Sequence, residues 1–145
     1  MMERRRERRT ALEVLYQIEV RGASEDEILE ARQQVDRRPA SEFTLDLVHG
    51  VHSHLDEIDP LIDSFADHWS IDRMPIVDKN IIRICVYEMK YMTDIPVGVS
   101  INEAVELAKA YGTDDSSKFV NGLVGRIAQE VRQSEGSGSK EEARH

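Results

Sequence analysis

Apolar residues recur along this chain at three- and four-residue spacing, the period of helices that turn one face inward. Ala11, Leu12, Leu15 and Ile18, joined by Val14, mark the inner face of a first helix behind a cluster of arginines, with Gly22 as its stop. Ser24 with Glu27 reads as a capping box. It opens a short helix through Ile28, Leu29 and Ala31, which Arg37-Arg38-Pro39 breaks. Ser41 caps a third segment, where Phe43, Leu47, Val51, Leu55 and Ile58 form a stripe. Asp59-Pro60 reads as another N-cap with a proline in the first turn. The helix it opens carries Leu61, Ile62 and Phe65 inward.

After Trp69 and Ile71, a helix starting at Asp72 or Met74-Pro75 holds Ile76, Val77, Ile81, Ile82, Ile84, Cys85, Val86, Tyr87 and Met89. That leaves little room for a solvent face, and such a helix is central. The embedded Asp78, Lys79, Arg83 and Glu88, and the length of the run, favour helix over a buried strand. A bend at 93–99 precedes a second capping box, Ser100 with Glu103, for a helix that Gly112 ends. Asp114, Asp115 or Ser116 caps the last helix, whose inner side carries Phe119, Val120, Leu123, Val124, Ile127 and Val131. The pattern predicts an all-α bundle of about seven helices in one domain over 1–133. A disordered, acidic Gly/Ser tail is expected over 134–145.

Composition narrows the classes. Of 145 residues, 40% are hydrophobic and 32% charged, a globular balance with no run long enough for a membrane span. The charged N-terminus leads into no hydrophobic signal core, and one cysteine excludes a disulfide framework, so a cytoplasmic protein is expected. Nineteen basic against 28 acidic residues give a net charge of −9. Residues 1–10 nevertheless hold five arginines and two glutamates, +3 in all, leaving −12 for the rest. A basic arm on an acidic body suits a local anionic partner with repulsion elsewhere, or else a solvated helix start.

Enzyme signals are thin. On a helix His49 and His52 share a face but His54 points elsewhere, so the trio makes no metal shell and surface histidines are the default reading. Asp56, Asp59, Asp63 and Asp67 read as a helix start and its exposed side, and Cys85 as an inert core thiol. No glycine-rich phosphate loop or nucleophile elbow is present. The reading is a non-enzyme without cofactor or metal. Binding signals are better, because clustered arginines neutralise phosphates and aromatic faces stack bases. Phe119 beside Lys118 is the pairing of interest, although Phe119 also lies on the core side of its helix. Tyr16 is either a packing residue or an interface anchor.

Several stretches together carry a family resemblance. They are the arginine-rich start with Ala-Leu-Glu-Val-Leu-Tyr-Gln (11–17), Leu-Val-His-Gly-Val (47–51), Trp-Ser-Ile-Asp-Arg (69–73) and Val-Asp-Lys-Asn-Ile-Ile-Arg-Ile-Cys-Val-Tyr-Glu-Met (77–89). Val-Ser-Ile-Asn-Glu-Ala-Val-Glu-Leu-Ala-Lys (99–109) and Ser-Lys-Phe-Val-Asn-Gly (117–122) complete the set. Over about residues 4 to 132 the chain resembles the NusB family of bacterial transcription antitermination factors. The resemblance implies two three-helix bundles plus an extra helix, and no catalysis. It also implies binding of single-stranded boxA RNA in ribosomal-operon transcripts, heterodimerisation with the ribosomal protein NusE, and entry into an RNA polymerase antitermination complex. Carried over by position, Arg4, Arg5, Arg6, Arg8 and Arg9 match the RNA-binding arm, and Asp115, Lys118 and Phe119 match the RNA surface. Tyr16 and Asp78 match the NusE contact, while Glu103, next to Asn102 in the signature, is given a structural role as part of its capping box.

Two other readings compete. One is a protein adaptor that docks NusE with little RNA contact of its own. The other is the regulatory domain of an RNA methyltransferase, set aside on the expectation that the sequence holds no cofactor-binding α/β domain. Monomer or homodimer is left open.

Overall fold

The computed structural model describes residues 2–67 and 69–144, with side chains over 3–67 and 69–131. Among the described residues there are seven α-helices, one 3-10 turn and no strand. They are α1 (Met2–Arg21), α2 (Glu25–Asp36), α3 (Glu42–Ser53), α4 (Leu55–Phe65), α5 (Ile76–Tyr91), α6 (Val97–Tyr111) and α7 (Ser116–Arg144), with the turn at Ile71–Arg73. The tail expected over 134–145 lies outside the residues whose side chains are described.

Local chemistry sets most boundaries. Gly22 ends α1 with φ +62°, a conformation that costs glycine little. The Ser24 and Ser41 side chains accept hydrogen bonds from the backbone N–H groups of Glu27 and Thr44, capping α2 and α3 as their sequences predict. Arg37 takes the left-handed conformation at the end of α2 and returns its N–H to the Gln33 carbonyl.

Two predicted caps are corrected. The stripe from Phe43 to Ile58 is split at His54, and α4 already begins at Leu55. The His54 carbonyl accepts the N–H groups of Glu57 and Ile58, so Asp59 caps nothing and Pro60 sits inside the helix. There the proline removes only the bond its own nitrogen would make to Asp56. Ser100 and Glu103 form no capping box either, because α6 starts three residues earlier, behind Pro96. Their side chains point away to other helices.

Helix α5 is the hub. It packs against α1 and α3 on one side and α6 and α7 on the other, with α4 also against it. Ile81, Ile82 and Val86 have no exposed surface, and Ile84, Cys85 and Met89 almost none. Two three-helix groups, α1–α3 and α5–α7, therefore share one core, with α4 as the additional helix. Where α3 meets α5 the approach is close: a Cβ on Gly50 would stand 2.1 Å from the Tyr87 ring.

Candidate nucleic-acid interface

Helix α1 runs antiparallel to α5, as the Arg8–Glu88 and Glu19–Lys79 ion pairs show. It runs parallel to α6. Arg5 meets Glu103, and eight residues further along both helices the Tyr111 hydroxyl donates to Glu13 at 2.8 Å. Long side chains, not close backbone packing, bridge this α1–α6 seam, and the two contacts stand on the order of 12 Å apart by helix rise. The candidate residues gather at its two ends.

At the first end, the five arginines are not equivalent. Arg8 is only 3% exposed and donates from Nε and Nη2 to both oxygens of buried Glu88, at 2.8 Å each. Burial works against its charge, but the bonds and attraction of Glu88 outweigh it and hold the guanidinium pKa above its ordinary value. Ser100 donates to the same carboxylate at 2.8 Å, joining α6 to the pair. Arg8 is thus removed from the surface arm expected of it. The signal was present in the sequence, since Arg8 precedes Ala11, Leu12 and Leu15 by three, four and seven residues and so continues their inner stripe.

Arg4, Arg5, Arg6 and Arg9 are exposed. Arg4 lies over the Phe43 ring, 4.6 Å from its centroid. Arg5 donates from Nε and Nη2 to Glu103 at 3.0 Å each, which with their Coulomb attraction raises its pKa. Glu7 turns its carboxylate toward the start of α3, where it accepts the Ser41 hydroxyl.

At the other end is a cavity of about 430 Å³ between the segment that follows α4, the start of α5, the α6–α7 connection and the first turns of α7. Trp69 and Phe119 stand edge to face in its wall, with centroids 5.3 Å apart. Asp115 lies at its rim and Asp78 in its depth. Gly112 lets the chain turn tightly here, since a Cβ would stand 2.5 Å from Ser116. The Ser116 hydroxyl donates to Asp78 Oδ2 at 3.1 Å, whereas Oδ1 is buried without a protein partner. Burial raises the pKa of Asp78, and the Ser116 bond offsets this only in part.

The structure therefore groups Asp78, at 3% exposure, with Asp115 and Phe119 and not with Tyr16. Tyr16 is 39% exposed and shares an outward face of α1 with exposed Val20, four residues on. Phe119 is half-buried, so its core and surface readings meet in one residue. Lys118, beside it, is exposed.

The remaining candidates have local partners. His49 bonds to Glu25, and the His54 ring bonds to the Gly50 carbonyl and packs against Tyr91. Asp59 is no idle surface acid, because it accepts both Nε and Nη2 of Arg83, at 2.8 and 2.7 Å. Asp63 accepts the Ile71 N–H, and burial pushes the Cys85 thiol pKa up.

An α-helical body with a cationic helix terminus at one end of a seam and an aromatic-walled cavity at the other is a binding module. Comparisons with known proteins specify which. The sequence matches the NusB family over residues 5–129. It is 46% identical over 132 residues to the transcription antitermination protein NusB of Salinispora tropica, covering 89% of this chain and 97% of that protein. The fold superposes on T. maritima NusB with a TM-score of 0.78 at 39% identity, covering 88% of this chain and 91% of that one. It also superposes, with a TM-score of 0.80 at 30% identity, on a chain from a crystal structure of antitermination factors NusB and NusE in complex with dsRNA, covering 90% and 98%. The chain belongs to the NusB family.

Proposed function

We propose that this protein is an RNA-binding transcription antitermination factor that binds boxA of nascent ribosomal-operon RNA together with NusE. In this role it joins an RNA polymerase antitermination complex in the cytoplasm and promotes processive ribosomal RNA synthesis by binding, not by catalysis. The observation that carries the reading is the seam itself. Exposed Arg4, Arg5, Arg6 and Arg9 lie at one end and Asp115, Lys118 and Phe119 at the other, so that one RNA strand laid along the seam would meet both groups. Arginines supply affinity for phosphates, and Phe119 supplies a π-face for a base. Tyr16, with Val20, is the surface for NusE. Asp78, the other residue expected at the NusE contact, is buried in the cavity beside Phe119 and apart from Tyr16, so its contribution to NusE binding is indirect.

The test is fluorescence-anisotropy titration of a boxA RNA against a scrambled RNA, with and without NusE. Selective binding that strengthens with NusE is expected. With about three to five phosphates engaged, the log–log salt slope should be roughly −2 to −3.5. NusE binding without RNA selectivity and with a slope near zero would instead favour the adaptor reading. That alternative draws support from the two arginines already paired with Glu103 and Glu88.

A further inference from the structure

Between α1 and α6 lies a cleft of about 200 Å³ that Arg5 and Arg9 line from one side and Glu103, Glu106 and Lys109 from the other. Three cations and two carboxylates share it, so it is not a plain basic groove. Its central contact is the pair of bonds from Arg5 to Glu103, and the two partners differ in exposure: the Arg5 side chain is 45% exposed and that of Glu103 14%. The neighbouring carboxylate, Glu106, reaches toward Lys109 at 3.6 Å.

The geometry of the pair has a chemical consequence. Glu103 takes Nε and one hydrogen of Nη2, which leaves Arg5 the far edge of its fork, Nη1 and the other Nη2 hydrogen. A phosphate can engage that edge through two bonds, with the ion pair intact, by approaching end-on along the guanidinium axis. A phosphate that approaches from the side Glu103 occupies must displace it and leave a largely buried carboxylate unpaired, which is unfavourable.

We propose that Glu103 is a positioning residue for RNA selectivity, holding Arg5 so that the arm accepts a phosphate from one direction and binds other polyanions poorly. The inference deepens the RNA-binding reading and rests on it. Glu103 acts here through Arg5 and needs no contact with RNA. The same carboxylate would be a liability in a protein selected only for tight binding, because it cancels one of four exposed arginine charges.

The experiment compares the full-length wild type with Glu103→Gln, Glu106→Gln, Arg5→Gln and the double variant Arg5→Gln/Glu103→Gln, titrated against boxA and scrambled RNA at two salt concentrations. Glu103→Gln keeps an oxygen for Arg5 and changes shape little. It should tighten scrambled RNA about three- to fivefold at low salt. The salt slope for that RNA should steepen by about 0.7, one more phosphate on a single strand. BoxA affinity should change by less than about twofold, so that the ratio between the two RNAs shrinks. Glu106→Gln should leave the ratio where it was, and in the Arg5→Gln background Glu103→Gln should do nothing further.

Three results would overturn the proposal: equal effects of Glu103→Gln and Glu106→Gln, a gain that persists without Arg5, or equal weakening of both RNAs. A wild type that discriminates and a Glu103→Gln variant with the same ratio would refute this inference alone. A wild type that binds neither RNA, with or without NusE, would remove the RNA-binding reading and this inference with it.

Discussion

The two ends of the α1–α6 seam solve opposite problems. At the N-terminal end, charge is abundant and much of it is already answered by protein, with Arg8 by Glu88 and Arg5 by Glu103. At the other end, around the cavity, Asp67, Asp115 and Arg126 share the lining with two aromatic rings, and one carboxylate oxygen, Asp78 Oδ1, is left without a protein partner. Paired arginines on a rigid helix restrict how phosphates can approach. A cavity walled by two aromatic rings, with an unpaired acceptor in its depth, leaves room for a flat group that brings its own donor. The first end governs attraction and the second recognition, on the reading proposed here.

The most severe way to break this division is Arg8→Ala. It strands a buried Glu88 and should cost about 3–5 kcal/mol in urea unfolding. Arg5→Ala, three residues away in the same cluster but exposed in the fold, should cost far less. If both variants unfold at the wild-type midpoint, the distinction between structural and surface arginines is wrong.

Phe119→Ala probes the other end. Loss of one base stack should weaken boxA binding by about 1–3 kcal/mol, read by anisotropy, with little change in salt slope because no phosphate contact is removed. An unchanged affinity would mean that RNA stops short of the cavity.

The smallest effect concerns Asp78. Its folded pKa is raised by burial, so the folded state disfavours the ionised carboxylate. Below the ordinary carboxylate pKa both states are protonated and no penalty exists. As the pH rises from the ordinary carboxylate value through the folded pKa the penalty develops, and it is complete above that range. Asp78→Asn should therefore stabilise the protein at pH 7 by about 1 kcal/mol in thermal unfolding, with the gain vanishing in acid. A gain that is independent of pH would point to packing instead of charge.

Much of this was legible in the sequence where the signal is local or periodic. The dense apolar run of α5 predicted a central helix, and Ser24 and Ser41 predicted caps that the backbone uses. The misread positions share one cause. Ser100, Glu103 and Asp59 are residues of capping type at capping spacing, yet each spends its side chain on another helix: Glu88, Arg5 and Arg83 respectively. Spacing within a segment says nothing about a partner some 12 to 98 residues away. The cavity was illegible for the same reason, since Trp69, Asp78 and Phe119 meet only when three separate segments are folded together.

That α5 packs against α1, α3, α4, α6 and α7 has a kinetic side. No subset of contiguous helices contains a finished core, because α1 to α3 are incomplete until a helix more than twenty residues downstream has docked. Arg83, held by Glu19 from α1 and Asp59 from α4, closes the same loop from the polar side. The chain should therefore fold and open as one cooperative unit, with the slowest-exchanging amides of α1 and α7 reporting the same global free energy and not two separate ones.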